Sequence, residues 1–277
     1  MSGTDGTAVS FDTASAARSL GDGTFTAVLR AEWAIGSHPH GGFLLALLAK
    51  AAIAALHERG EPHAEPLVVS AEFLHAPALG PVLLRTDVRK VGRRATVVEV
   101  RLEQRGRSCV EARVTTGRLP MRRPEWTDVP AMAAEPPPGA LAMAESTEGP
   151  FNLAKGCEVR LDPATAGYLA GRTDEPPRMR LWVRPRHSLV DPYFTLLASD
   201  VNPPVVMNLG RIGWAPTVQL TALLRTRPAP GWLRVVVESR SVHESWFDSD
   251  ATVVDSQGRL VCQARQLGLA PAPAPGG

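Results

Sequence analysis

An internal repeat constrains the fold of this chain more than any other feature of its sequence. Residues 106–114 align with residues 258–266, and upstream residues 73–80 align with residues 223–231. The two matches occur in the same order and at nearly the same spacing in both halves. Self-similarity of this kind indicates a duplicated structural unit. We therefore expect the chain to contain two copies of one fold.

A proline-rich segment separates the two halves. Residues 120–150 contain seven prolines, three of them in succession, and few large apolar residues. Proline neither continues a helix nor donates to a sheet, so this composition is typical of an extended linker. We predict an N-terminal unit over residues 1–119, a linker over 120–150, and a C-terminal unit over 151–277 with a frayed tail after residue 270.

The N-terminal half contains an apolar run that predicts a helix. Residues 43–56 are apolar except for Lys50, follow Gly41 and Gly42, and precede Gly60, a plausible stop signal. Such a helix is apolar nearly all round, so we expect other elements to enclose it. It is also shorter than the ~20 residues that span a bilayer. Alternating apolar and polar residues then predict strands at residues 67–73, 82–90, 95–104 and 108–116.

The C-terminal half repeats this order of elements. A strand is predicted at residues 178–185. Asp191 is a good N-cap and Pro192 suits the first helical position, so we predict a helix there that ends at about Asp200, before a Pro-Pro sequence. Further strands are predicted at residues 217–225, 233–241, 247–255 and 260–269. A helix followed by antiparallel strands, twice, predicts an α+β fold whose two sheets could pair and so remove exposed edges.

Composition excludes several classes of function. With 30 Lys and Arg against 28 Asp and Glu, the net charge of +2 is too balanced for a dedicated binder of nucleic acid or membrane surfaces. The three cysteines, Cys109, Cys157 and Cys262, are too widely spaced for a zinc site. No basic start precedes an apolar run at the N-terminus, so we expect no signal peptide and a cytoplasmic location. The sequence contains no Gly-x-Ser-x-Gly elbow, which disfavours a serine thioesterase of the α/β-hydrolase kind.

Four motifs resemble the double hot-dog acyl-CoA thioesterases, and in particular the acyl-CoA thioesterase II (TesB-like) group. Residues 198–202 resemble the family's Ser-Asp-Leu-Asn segment at a helix end, and residues 216–221 resemble the strand that follows it. Residues 258–261, followed by Gln266, resemble the last strand, and residues 38–43 resemble the Gly-Gly start of the first helix. The resemblance covers about residues 25–270 outside the linker. It implies a double hot-dog fold: two tandem units, each a helix wrapped by an antiparallel sheet.

The resemblance also implies a reaction and its residues. The family hydrolyses an acyl-CoA, or a related acyl thioester, to a free acid and a thiol with a water molecule activated by Asp, Thr and Gln. These roles fall on Asp200, Thr217 and Gln266. The sequence departs from the family at Gln219, where acyl-CoA thioesterase II has Asp, and in its long linker. The reaction needs no metal or other cofactor. Besides an acyl-CoA substrate, we expect a homo-oligomer, a dimer, and no nucleic-acid or membrane partner.

Asp200 and Gln266 also attract attention on physical grounds. Asp200 follows apolar neighbours in the last turn of its predicted helix, where burial and the helix dipole both raise a carboxyl pKa, as a general base requires. The alternative is a solvated Asp in a turn. Gln266 lies in an apolar strand end and aligns with Val114, so it is either hydrogen-bonded in the core or lines a cavity. Thr217 taken alone is an ordinary strand residue.

The start of the first predicted helix is a candidate oxyanion site. Backbone N–H groups of Gly41, Gly42 and Phe43 lack partners within the helix and could stabilise the oxyanion of an attacked thioester, although a flexible helix start would have the same sequence. His38 and His40 have a His-x-His spacing. The proline between them and the lack of a matching carboxylate cluster disfavour a metal site.

Two other functions stay open. One is a non-catalytic protein of the same fold that binds acyl thioesters. The other is a hot-dog hydratase, which would pair a His with an acid on the helix, and no His lies near Asp200 in the sequence. In the repeat, Gln266 aligns with Val114, Thr217 with the region of Leu67, and Asp200 with Leu48 and Ala49. Apolar residues cannot orient water, so we predict one active site per chain, built mainly by the C-terminal half.

Overall fold

The apolar run forms a long helix, and one wide antiparallel sheet curves around it. The computed structural model describes residues 9–61, 64–143 and 151–272. The start of the chain, the end of the predicted linker and the last five residues of the predicted tail lie outside the described residues.

The described residues form three α-helices and sixteen strands. The helices are α1 (Phe11–Ala14), α2 (Gly41–Glu58) and α3 (Pro192–Ala198). The strands up to the end of the linker are β1 (Arg18–Gly21), β2 (Thr24–Leu29), β3 (Ala34–Ile35), β4 (His38–Pro39), β5 (Glu65–Phe73), β6 (Gly80–Lys90), β7 (Thr96–Gln104), β8 (Arg107–Gly117) and β9 (Leu141–Ala142). The remaining strands are β10 (Cys157–Leu161), β11 (Arg178–Pro185), β12 (Thr217–Leu224), β13 (Leu233–Glu238), β14 (Val242–His243), β15 (Trp246–Val254) and β16 (Leu260–Leu269).

The two halves join at the centre of the sheet. Its strand order is β1-β2-β6-β7-β8-β5-β12-β16-β15-β13-β11-β10-β9, with β14 paired to β15 and every pairing antiparallel. At the β5–β12 junction, Leu220 lies opposite Ala71, and the hydroxyls of Ser70 and Thr221 are 2.7 Å apart. This junction removes one edge from each half, which confirms the predicted pairing of the two sheets.

Helix α2 is the core of the N-terminal half. It begins at Gly41 and ends at Glu58, so it is longer than the predicted span of 43–56. By length and composition alone it could cross a membrane, but 72% of it is buried inside the fold. It packs against β5, β6, β7, β8 and α3, which explains why it is apolar nearly all round.

Helix α3 begins as its sequence predicts. The Asp191 side chain accepts a hydrogen bond from the Phe194 N–H at 2.6 Å, and Pro192 occupies the first position. The helix ends at Ala198, two residues before the predicted end, so Asp200 lies in the segment that follows it. Because α3 ends before Asp200, the Asp200 side chain is free of the helical geometry and can approach α2.

The predicted strands form with small shifts at their ends, but sequence reasoning missed the outer strands β2 and β10. Both strands alternate buried and more exposed residues over only five or six positions, a signal too short to separate from chance. The described part of the predicted linker packs on the C-terminal half: the Trp182 indole donates to the Ala133 carbonyl at 2.8 Å, and β9 pairs with β10. The unit boundaries at residues 119 and 150 stay a prediction.

Candidate active site

The candidate site lies where the end of α3 meets the start of α2. The Gly42 N–H donates to the Asp200 carboxylate at 2.7 Å. A Cβ atom added at Gly41 would lie 2.7 Å from that carboxylate, and one at Gly42 would lie 2.8 Å from the Leu197 carbonyl oxygen. Glycine at both positions therefore allows the two helix ends to approach each other, which is a more specific role than a flexible helix start.

Burial dominates the electrostatics of Asp200. Its side chain is only 10% exposed, and burial raises its pKa above the usual range, while nearby His40 and the Gly42 N–H oppose that rise. The rise in pKa agrees with the sequence argument. The helix dipole, which that argument expected to add to the rise, instead opposes it. The carboxylate lies at the N-terminus of α2, where a negative charge is favoured. Asp200 is therefore a carboxyl with a raised pKa, and hydrogen bonding holds it in one position.

Thr217 and Gln266 form a hydrogen-bonded pair on neighbouring strands. Thr217 lies opposite Gly268, so Gln266 is its diagonal neighbour on the same face of the sheet. The Gln266 carboxamide donates to the Thr217 hydroxyl at 2.5 Å. A bulge between Thr217 and Gln219 interrupts the ladder here, and bulges commonly re-aim side chains beside active sites.

One cavity brings the predicted catalytic residues together. It has a volume of about 780 Å³, and Asp200, Thr217, Gln266 and Gly41 all line it. Both halves contribute to the apolar part of its wall, which includes Leu44, Phe73, Tyr168, Met207, Trp214 and Phe247. The size and the few polar groups in an apolar wall are typical of a small-molecule site.

Two of the three predicted oxyanion donors are already engaged. The Gly42 N–H binds Asp200, and the Phe43 N–H donates to His40 Nδ1 at 3.3 Å. Neither Gly42 nor Phe43 lines the cavity, and the Phe43 side chain is fully buried. These contacts argue against the predicted role for both residues. Gly41 does line the cavity, and its N–H makes no hydrogen bond to another described residue.

His40 is a component of the site that sequence reasoning missed. No His lies near Asp200 in the sequence, yet His40 Nε2 is 3.7 Å from the Asp200 carboxylate, so the expectation that Asp200 has no His neighbour is wrong. His40 caps α2 by accepting from Phe43 through Nδ1, which places the ring hydrogen on Nε2, 2.9 Å from the Asp200 carbonyl oxygen. His38 instead stacks on Trp214, so the two histidines make separate contacts.

Ser249 is a second component without a sequence signal. It lies directly opposite Gln266 on β15, is 5% exposed and lines the same cavity. Ser249 is itself polar and lies between the charged residues Asp248 and Asp250, so no alternation of apolar and polar residues marks it as inward-facing. The registers of β15 and β16 bring Ser249 to the site.

Family models match most of the chain. A model described as the acyl-CoA thioesterase N-terminal domain matches residues 29–117, and one described as the acyl-CoA thioesterase C-terminal domain matches residues 127–270. Among whole proteins, an uncharacterized protein of Mycobacterium tuberculosis is 40% identical over 267 residues, which cover 90% of this chain and 91% of the relative.

Solved structures agree with the family models. A proposed thioesterase II from Thermobifida fusca is 30% identical, with a TM-score of 0.84 over 95% of this chain and 97% of that chain. A hot-dog protein from Alicyclobacillus acidocaldarius is 22% identical, with a TM-score of 0.78 over 95% and 98% of the two chains. An acyl-CoA thioesterase II from Mycobacterium marinum is 16% identical, with a TM-score of 0.69 over 96% and 99%. The likeness to the last two concerns the fold alone, and it confirms the predicted double hot-dog.

Proposed function

The chain belongs to the acyl-CoA thioesterase family, and on that premise we propose that it hydrolyses an acyl-CoA, or a related acyl thioester, to a free acid and a thiol. The observation that carries the proposal is an apolar cavity lined by a buried carboxylate, Asp200, and by the bonded pair Thr217 and Gln266. A carboxylate and a carboxamide facing one cavity can hold a water molecule between them.

Asp200 acts as the general base in this proposal. The Gly42 N–H holds one carboxylate oxygen, Oδ2, and the other oxygen, Oδ1, accepts no hydrogen bond from a described residue. Oδ1 can therefore accept a proton from a bound water. A raised pKa brings the carboxyl closer to the pH at which proton transfer is most effective.

Hydrolysis then proceeds in two steps. The water oxygen attacks the thioester carbon while its proton moves to Asp200, which gives a tetrahedral oxyanion. The carbon–sulfur bond breaks, and the leaving thiolate takes the proton back from Asp200. Gln266, oriented by its hydrogen bond to Thr217, positions the water. No step requires a metal or an organic cofactor.

A thiol-release assay tests the proposal. The purified chain is offered acyl-CoAs from short to long chain length, together with the same acyl groups on a carrier protein. We expect turnover of a subset of acyl groups that fit the cavity. Thiol release from none of these substrates, combined with tight binding of one of them, would instead establish the non-catalytic binding protein.

The closeness of His40 to Asp200 makes a hydratase the second candidate. His40 lines the cavity, but both of its ring nitrogens hydrogen-bond backbone groups of Phe43 and Asp200, so a proton transfer to or from a substrate would first have to break one of these bonds. Adding an enoyl-CoA to the same preparation separates the two reactions. We expect no loss of the conjugated double bond, and water addition faster than thiol release would favour the hydratase.

Several further properties belong to the same proposal. The substrate is an acyl-CoA or a related acyl thioester, the chain acts as a homodimer in the cytoplasm, and it needs no nucleic-acid or membrane partner. Sedimentation or light scattering on the purified chain measures the oligomeric state directly.

A further inference from the structure

Equivalent strand pairs in the two halves differ at one cross-strand position. In the N-terminal half, Val98 on β7 lies opposite Val114 on β8, and both are fully buried. The repeat aligns Val114 with Gln266, whose partner on β15 is Ser249. A buried apolar pair is therefore replaced by two polar residues, and both of them line the cavity.

Ser249 is also an exception within its own strand. The inward-facing residues of β15 are Phe247, Ser249, Ala251 and Val253, and all four are buried. The Ser249 hydroxyl makes no hydrogen bond to any other described residue. Its oxygen is not among the fully buried polar atoms without a partner, so it is accessible from the cavity that the residue lines. A hydroxyl in that position can donate to a molecule bound in the cavity.

The position of Ser249 determines which atoms of a bound molecule its hydroxyl can contact. Directly opposite residues of an antiparallel pair have Cβ atoms about 4.5–5.5 Å apart on the same face. One ligand atom can therefore contact both the Ser249 hydroxyl and the Gln266 carboxamide. Two of the three expected oxyanion donors, Gly42 and Phe43, are engaged elsewhere. The Gly41 N–H is left on the helix side of the cavity, and a second donor can come from its sheet side.

We infer that the Ser249 hydroxyl donates a hydrogen bond to the carbonyl oxygen of the bound acyl thioester and stabilises the oxyanion formed when water attacks. Gln266 accepts from the water through its carboxamide oxygen and donates its second N–H, the one not bonded to Thr217, to the same thioester oxygen. This inference rests on the proposed thioesterase activity. It adds a catalytic residue to the Asp, Thr and Gln set that the family resemblance implies.

Steady-state kinetics of Ser249→Ala test the inference. We expect kcat to fall about 10-fold or more, which can be less than the ~10²-fold that a lost oxyanion donor usually costs because Gln266 remains. KM should be nearly unchanged because the bond strengthens in the transition state. Ser249→Thr keeps the hydroxyl and should keep most of the turnover. Ser70→Ala is the matched control, since it removes a part-buried sheet hydroxyl that bonds Thr221 outside the cavity.

A double-mutant cycle distinguishes a catalytic role from a structural one. If Ser249 and Gln266 hold the same oxygen, the double variant Ser249→Ala with Gln266→Ala loses less than the product of the single losses. Wild-type kcat in a folded Ser249→Ala variant, or strictly multiplicative losses, would overturn the role of Ser249 and leave the thioesterase proposal standing. A wild-type chain that hydrolyses no thioester would overturn both.

Discussion

Strands β5 and β12 are neighbours at the centre of the sheet, and each has a bulge near its first residues. The bulge in β5 falls between Pro66 and Val68, and that in β12 falls between Thr217 and Gln219. These positions correspond in the repeat to within one residue, so the duplication extends to a backbone irregularity. The bulge of β12 lies beside Thr217 and Gln266 in the first cavity, whereas that of β5 lies beside Thr116, which bonds the Thr96 carbonyl and lines a second cavity. Backbone geometry alone therefore does not make the site.

The two core helices differ most between the halves. Helix α2 runs for 18 residues and continues past Leu48 and Ala49, the residues that align with Asp200. Helix α3 has only 7 residues and ends at Ala198. The early end of α3 frees the following residues to turn toward Gly42. A difference in helix length thus puts a carboxylate at one junction of the two helices.

The N-terminal half also has a cavity, at the opposite end of α2. A second cavity of about 510 Å³ lies there, lined by residues that include Arg93, Arg94, Arg118, Thr96 and Thr116. Its wall is far more polar than that of the first cavity, and its arginines suit an anion better than an acyl chain. The comparison predicts one acyl site per chain.

Replacing the acid should have the largest effect. Asp200→Asn removes the proton acceptor, so we expect kcat to fall about 10²-fold or more, the usual weight of a general base. Stability should stay equal or rise, because a carboxyl whose pKa is raised by folding costs stability at pH values above its usual pKa, which include neutral pH. Thiol release and thermal melting measure the two effects.

Asp191→Asn is the matched control for this change. Asp191 is also a buried carboxyl whose pKa burial raises, but it caps α3 outside the cavity, and Asn is an equally good cap. It should keep wild-type turnover. In the wild type, kcat/KM should rise with pH as Asp200 loses its proton, with a midpoint above the usual Asp value. Equal turnover of the Asp200 variant and this control would remove Asp200 from the mechanism.

Gln266→Val places at this position the residue type of Val114, its equivalent in the N-terminal half. We expect kcat to fall about 10- to 10²-fold, less than for Asp200→Asn, because the variant keeps the base but loses a positioning group. Gln263→Val on the same strand is the control, since Gln263 is exposed on the other face. Similar losses in both variants would point to damage to β16 rather than to the site.

Gly42→Ala tests the close approach of the helices. Its Cβ atom would lie 2.8–2.9 Å from the backbone oxygens of Leu197 and Leu196, so α2 and α3 must move apart. We expect a loss of about 1–3 kcal/mol in the free energy of unfolding, measured by denaturant titration. Gly139→Ala is the control, because nothing lies within 4 Å of its added Cβ. An unchanged stability of Gly42→Ala would show that the contact is not needed.

The smallest effect should come from the second cavity. Calorimetry with a non-hydrolysable acyl-CoA analogue should give one ligand per chain. Arg118→Ala, which alters only the second cavity, should leave the stoichiometry at one and the hydrolysis rate unchanged. Two equivalent sites per chain would contradict the division of roles between the halves.

Local patterns in the sequence determined much of the fold. The apolar run around Lys50 predicted α2, and Asp191 with Pro192 predicted the start of α3. Alternation of apolar and polar residues predicted most strands of both halves. These features are readable because caps and hydrophobic periodicity act over a few neighbouring residues. Gln266 could be singled out from the sequence for the same reason, because it is polar where the aligned residue, Val114, is apolar.

The contacts that build the site were decided by the tertiary structure. His40 and Gly42 meet Asp200 from 160 and 158 residues away, and Ser249 meets Gln266 through the register of two strands. Such pairings depend on how closely two helix ends approach and on strand register, where a shift of one residue would turn each side chain to the other face. No local pattern encodes either quantity, because both result from packing the whole sheet around α2.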